Sequence, residues 1–477
     1  MNSNSDAIGA LTVNSATVTT GAGTLILGGN LTDSGASSIS GQLSLGSATR
    51  TITANSGDVL TINATIIGGV GLIKTGYGQL LLTAANTYSG TTTLSRGILA
   101  LGNNNALGTG AFVAAGGTLR GSGATGITLL NPVTLAGNLI IAGSTDLTFN
   151  GTTTLTGSRT LTMSGTGLTT FAASIGESGG SFSLTEAGTG RLVLQAADTF
   201  SGGMVLSAGT LVLGNSSALG TGTASLKGGT LTGNGAALVL PNALTLGGNF
   251  TIGGTSNLTF MGPATLTGSR TVTVTNTGLT MLGGAIGQSI AGLGLIKAGA
   301  GTLVLSGTNT YTGATTVSAG TLLVNGSQTG SAVTVKSGAT LGGSGTTGAV
   351  TVQSGGTLLP GSSGQTAILA TGNLTLSSGS TYSALLSGPN PGAGGYSQVA
   401  VTGTVTLTGS TLSLAVTPAF TPTVGESFVL ISNDGVDAVV GTFTGLAQNA
   451  TFSAGGMTFQ INYQGGDGND VVVTRIA

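Results

Sequence analysis

Apolar residues alternate with threonine or serine in short runs along the chain, as in Thr271-Val272-Thr273-Val274-Thr275. A period of two with β-branched residues on one side predicts half-buried β-strands. Gly, Asn or Ser interrupts each run after a few residues, and these are the residues that turn a chain. No stretch carries the 3.6-residue period of a helix.

The runs recur at two periods. Lys74-Thr75-Gly76-Tyr77-Gly78-Gln79-Leu80-Leu81-Leu82 returns as Glu186-Ala187-Gly188-Thr189-Gly190-Arg191-Leu192-Val193-Leu194 and as Lys297-Ala298-Gly299-Ala300-Gly301-Thr302-Leu303-Val304-Leu305. The long period is about 111 residues. Inside it, Gly97-Ile98-Leu99 is followed about 20 residues later by Gly117-Thr118-Leu119, and Gly209-Thr210-Leu211 by Gly229-Thr230-Leu231. Short strands, fixed turn residues and a rung of about 20 residues predict a parallel β-solenoid, in which stacked neighbours bury the apolar alternates. An array of β-sandwiches would turn less often.

The end of the chain breaks the pattern. Phe420, Phe428, Phe443, Phe452, Phe459 and Tyr463 gather there, and Glu426, Asp434, Asp437, Asp467 and Asp470 face only Arg475 in charge. The expected organisation is an all-β chain: a parallel β-helix over residues 1–395 and a β-rich C-terminal cap over 396–477 that shields the open end. The loop Gly388-Pro389-Asn390-Pro391-Gly392 precedes the cap.

Composition then narrows the chemistry. Of 477 residues only 11 are basic and 12 acidic, 5% charged against about 25% in an ordinary domain. There are 90 glycines, roughly one residue in six is threonine, and there is no histidine, cysteine or tryptophan. Imidazole and thiolate metal sites, Ser-His-Asp triads and cysteine nucleophiles are excluded. A net charge of −1 argues against nucleic acid as partner, because phosphate binding needs a basic surface. No apolar run approaches the length of a spanning helix, so the chain is not itself embedded in a membrane. The start, Met1-Asn2-Ser3-Asn4-Ser5-Asp6, lacks a basic n-region, so any signal peptide is expected to lie in a longer precursor.

The stretch Gly299-Ala300-Gly301-Thr302-Leu303-Val304-Leu305-Ser306-Gly307-Thr308-Asn309-Thr310-Tyr311-Thr312-Gly313, continuing to Leu322, resembles the autotransporter-associated β-strand repeat. Copies begin near Gly76 and Gly188, and the ending through Gly465-Gly466-Asp467-Gly468-Asn469-Asp470 is similar to segments that close such passengers. The resemblance, to passenger regions of the type V secretion class, implies a right-handed β-helix displayed outside a bacterial cell as stalk, adhesin or scaffold. It names no ligand and transfers no catalytic residue. The chain ends where such a protein's membrane barrel is expected to begin.

Several residues are candidate sites. Gly466, Asp467 and Asp470 match the nonapeptide GGxGxDxUx, whose carboxylate and carbonyl oxygens bind calcium, so calcium is the one cofactor to consider; a tight turn is the structural alternative. Asp434 and Asp437 form a second carboxylate pair, as glycoside chemistry requires across a cleft, or a turn ahead of a strand. The body's acids, Asp6, Asp33, Asp58, Asp146, Glu177, Glu186 and Asp198, are scattered, so no catalytic residue is assigned and no enzyme is expected. Arg50, Arg159 and Arg270 recur in one Thr-rich context and could form a sparse row for anionic sugars, or bond turn carbonyls. Tyr88, Phe200 and Tyr311 recur as possible sugar-stacking rings or packed turn residues. Asn103 and Asn215 suit corner hydrogen bonds. Thr-x-Thr runs raise ice binding, but they do not recur at one place in every rung.

The expected function is an extracellular structural or adhesive scaffold, a passenger-like stalk at the bacterial cell surface that self-associates through solenoid ends or meets host or matrix glycan or protein. The alternatives are a polysaccharide-active β-helix enzyme and a glycan- or ice-binding solenoid.

Overall fold

The computed structural model describes residues 5–477, and among them every regular element is a β-strand and none is a helix. The chain divides into two compact units, Met1–Asn234 and Gly235–Ala477.

The first unit is built from parallel rungs. Leu60, Leu80, Leu99 and Leu119 stand in register on the strands Val59–Ile62, Gln79–Leu82, Ile98–Leu101 and Thr118–Gly121. All four are fully buried. Identical side chains one rung apart pack without voids and lose their apolar area to one another, at about 25 cal/mol per Å2. A second sheet stacks Leu72–Thr75, Thr92–Leu94, Phe112–Ala114 and Val133–Leu135. A third stacks Ile127–Leu129, Leu147–Phe149, Leu168–Phe171 and Arg191–Leu194. There the Phe149 and Phe171 rings lie face to face at 4.5 Å.

The long period is not a whole number of rungs. Leu72–Thr75 belongs to the second sheet, whereas its counterpart Leu184–Gly188 belongs to the first. The middle copy of the long repeat therefore starts on a different sheet from the first. Arg50 accordingly opens a strand of the second sheet and Arg159 one of the first, so the expected row of arginines does not form.

In the second unit, Val272, Lys297, Val317, Val335 and Val352 form one inward row. A neighbouring sheet stacks Leu303, Leu322, Leu341 and Leu358. Parallel pairing continues past residue 396 through Gln398–Val401, Val405–Thr408 and Thr411–Val416. Antiparallel pairing then takes over: Ser427–Asn433 pairs with Asp470–Arg475, which pairs with Met457–Gly465, which pairs with Thr451–Ala454. Ser427–Asn433 is also parallel to Gln398–Val401, which joins this sheet to the last coil.

Several aromatics late in the chain are packed inside it. Phe428 and Phe443 are buried. Phe443 stacks on Tyr382 at 6.2 Å, and the Tyr382 hydroxyl donates to the Leu430 carbonyl at 2.7 Å. Tyr396 meets Phe428 edge-on at 5.3 Å.

Candidate functional site

The three copies of the long repeat place polar groups inside the coil at fixed positions. Lys74 and Lys297 sit in core rows, stacked on Ile52 and Leu94 or on Val272 and Val317. Both are fully buried. The Lys297 ammonium donates to the carbonyls of Ala298, Gly299 and Ala319 at 3.0, 2.8 and 3.0 Å. Lys74 donates likewise to Thr75, Gly76 and Arg96. Burial pushes both ammoniums down to about 8. Each lysine closes the turn that follows its own strand, which explains a buried charge in a chain so poor in charge.

At the middle copy the same position is Glu186, stacked between Leu161 and Leu206. It is fully buried, and no hydrogen bond reaches either carboxyl oxygen. Burial pushes the carboxyl up to about 9, partly offset by the nearby Leu192 N–H.

A second position carries Asn86, Asp198 and Asn309. Each accepts from a backbone N–H one coil away, those of Ile66, Ile175 and Ile286 at 2.8, 2.7 and 2.9 Å. Asn86 also donates to the Ala106 carbonyl at 2.6 Å. Asp198 has no donor on its outer oxygen, which stays unpartnered, and burial raises its carboxyl to about 7.

The recurring rings are interior. Tyr88, Phe200 and Tyr311 are fully buried, so no surface row of rings exists to stack on sugar. The Tyr311 hydroxyl lies 2.6 Å from the Thr315 hydroxyl, and Tyr88 pairs with Thr92. Asn103 and Asn215 make the expected corner bonds, accepting from the N–H groups of Asn105 and Ser217 at 2.9 Å each. The arginines act on the backbone: Arg50 Nε donates to Leu45 O at 2.7 Å, Arg159 Nε to Leu135 O at 3.1 Å and Arg270 Nε to Leu246 O at 3.3 Å.

Asp434 and Asp437 are both exposed on a turn. The Asp437 carbonyl accepts from the Asn433 and Asn469 amides at 2.6 and 3.2 Å. Gly466, Asp467 and Asp470 lie on the turn joining Met457–Gly465 to Asp470–Arg475. Asp470 Oδ1 accepts from the Asn433 N–H at 2.8 Å. Burial raises the Asp470 carboxyl, the Asn433 N–H lowers it, and the Asp467 charge raises it further. Among the described residues, no three acidic side chains converge on one point.

One surface feature was not visible in the sequence. In the second unit Thr302, Thr321, Thr340, Thr357, Thr381 and Thr411 stand in register on successive strands, one per coil. These are single threonines rather than the Thr-x-Thr runs considered from the sequence, and their alignment escapes a sequence period. The reason is rung length: these coils vary in residue count, so a fixed sequence period misses what hydrogen bonding aligns. Leu323 and Leu359 point outward beside the ladder, and Ser362 and Ser363 at the tip of a hairpin close over it. Together they enclose a groove of about 400 Å3 with no charged residue in its lining.

The passenger-associated-transport-repeat family matches residues 72–101, 184–213 and 295–324. The adhesin BmaC autotransporter of Brucella suis biovar 1 (strain 1330) is 30% identical over 312 residues, covering 62% of this chain. The chain spans 8% of the length of that relative. The Haemophilus influenzae Hap adhesin crystal structure aligns over 95% of this chain and 63% of its own, at 12% identity and a TM-score of 0.29. Each transport repeat is laid down here as two rungs with the same buried polar positions, and the chain carries three passenger-associated transport repeats.

Proposed function

We propose that the chain is a non-catalytic adhesive stalk, secreted or displayed at the bacterial cell surface. The observation that carries this reading is the in-register threonine ladder with its uncharged groove, a regular contact surface on a scaffold whose ionisable groups are few and mostly bound to backbone. The adhesin relative supports the same role, and the scatter of the carboxylates speaks against hydrolysis. The surface suits a neutral, hydroxyl-rich or weakly polar partner, such as host or matrix glycan or protein. Anchoring by a separate segment, and self-association through exposed strand edges at solenoid ends, belong to the same proposal.

The test is attachment. Beads coated with the chain are expected to bind host cells or matrix, and Thr321→Lys with Leu323→Lys should reduce capture about tenfold by placing two charges in the groove. Capture no better than that of uncoated beads would overturn the adhesive role. Undiminished capture by the variant would overturn the choice of surface.

Calcium at the Gly466–Asp470 turn is the accompanying proposal. Asp467 and Asp470 are close enough for mutual repulsion, which a cation would relieve. Calcium should then raise the melting temperature of the wild type and not that of Asp470→Ala. An unchanged wild-type melt ends the idea.

A further inference from the structure

The middle repeat differs from its neighbours where they are most alike. Lys74 and Lys297 each put an ammonium among three turn carbonyls. The backbone there is the same in all three copies. Ser95, Ser207 and Ser318 donate to the carbonyls of Lys74, Glu186 and Lys297 at 3.0, 3.0 and 2.8 Å. Gly97, Gly209 and Gly320 all have positive φ, at 74°, 75° and 64°.

Those glycines locate the polar group. A Cβ on Gly97 would lie 2.8 Å from Lys74 Nζ and close to the carbonyls of Gly76 and Gly78. A Cβ on Gly209 would lie 3.2 Å from Glu186 Oε1 and close to the carbonyls of Gly188 and Gly190. The Glu186 carboxyl thus points to the place where its counterpart carries an ammonium. Its side chain is one atom shorter in reach, and its Oε1 lies toward the same carbonyls that surround the ammonium in the flanking copies.

A buried carboxylate facing carbonyls is repelled by them unless something positive stands between, and the Leu192 N–H offsets burial only in part. The flanking copies show what the place accepts, since the lysine Nζ stands in for a cation held by carbonyl oxygens. Contacts of 2.8–3.0 Å around Lys297 Nζ are longer than the 2.3–2.6 Å of calcium or the 2.0–2.1 Å of magnesium. They suit an ion of ammonium size, of the kind that backbone carbonyls take from water.

We propose that the middle transport repeat holds a monovalent cation of potassium size between the Glu186 carboxylate and the turn carbonyls of Ala187, Gly188 and Ala208. One carboxylate and one monovalent ion leave the interior neutral, as a single lysine cannot in a copy that carries glutamate. The site is closed to solvent, so the ion enters as the coil closes or during local opening, and it stabilises the closed coil by mass action.

Hydrogen exchange on the full chain tests this at pH 8, in potassium, sodium or choline chloride of equal ionic strength. Exchange of the Ser207 N–H, which bonds to Glu186 O, should be about tenfold slower in potassium than in choline, with sodium between them. The Ser95 and Ser318 N–H groups, on the lysine copies, should not respond. Glu186→Lys supplies its own ammonium and should abolish the dependence. Glu186→Gln removes the charge and serves equally should the lysine variant fail to fold. Crystals soaked in rubidium should show an anomalous peak beside Glu186. Equal exchange in potassium and choline would mean that a proton alone neutralises Glu186, and the proposal would fall. A dependence that survives in Glu186→Gln would overturn it too.

Discussion

Tyr311 and Thr315 join their hydroxyls at 2.6 Å inside the second unit, one turn of chain apart. The pair recurs as Tyr88 with Thr92. In the middle repeat the same two positions are Phe200 and Met204, both buried, so both hydroxyls are absent together. A buried hydroxyl needs a partner, and losing one member strands the other at about 1–3 kcal/mol. Phe200→Tyr alone is therefore expected to lower the stability of its coil by about that much. Phe200→Tyr with Met204→Thr should recover most of the loss. A double-mutant cycle read by denaturant unfolding gives the coupling, and strict additivity would show that the hydroxyls do not interact.

Asp198 makes the first unit sensitive to pH. Its carboxyl is raised from 3.8 to about 7 by burial. The folded state keeps a proton that the unfolded chain releases near pH 4. The associated stability is full below pH 4, falls as pH rises from 4 to 7, and is gone above that. Asp198→Asn supplies the donor that Asn86 uses. It should flatten this slope and raise stability at pH 7.5 by about 2–4 kcal/mol. Melts of wild type and variant at pH 4 and pH 7.5 check it, the gap being expected only at the higher pH.

Lys297 caps three carbonyls that no other side chain serves in the same way. Lys297→Met keeps most of the stem and removes the ammonium, leaving buried acceptors unpaired. A loss of about 3 kcal/mol is expected. Lys336→Met, at an exposed position, should change stability by less than about 0.5 kcal/mol. Equal effects would mean that the buried ammonium contributes nothing particular.

Gly320 separates backbone strain from collision. At φ 64° an added Cβ would lie 2.5 Å from the Gly299 carbonyl and 2.6 Å from that of Gly301. Gly338 has φ 74° with nothing within 4 Å. Gly338→Ala is expected to cost about 1–2 kcal/mol, the left-handed penalty alone. Gly320→Ala adds displacement of the neighbouring coil and should cost at least about 3 kcal/mol. Similar melting temperatures for the two would show that the coil yields freely.

Alternation within strands and the repeated turn glycines determined the solenoid, because stacked rungs demand the same apolar residue at the same place in every coil. Leu80, Leu99 and Leu119 were legible for that reason. The gathering of aromatics late in the chain was legible as well, and Phe428 and Phe443 are buried there. What the alternation could not tell was which way a polar residue points when the rung length drifts. Alternation left Tyr88 open between a sugar-stacking ring and a packed one and gave Lys74 no placement; the facing Thr92 and the turn carbonyls hold both inside. Arg50 and Arg159 matched in sequence but stand on different sheets, because about 111 residues is not a whole number of rungs. The threonines from Thr302 to Thr411 look irregular in sequence and stand in line in space, because hydrogen bonds between coils, not residue counts, set the register. The tertiary structure alone decided these placements, and with them where the groove lies and why Glu186 stands in need of a counter-charge.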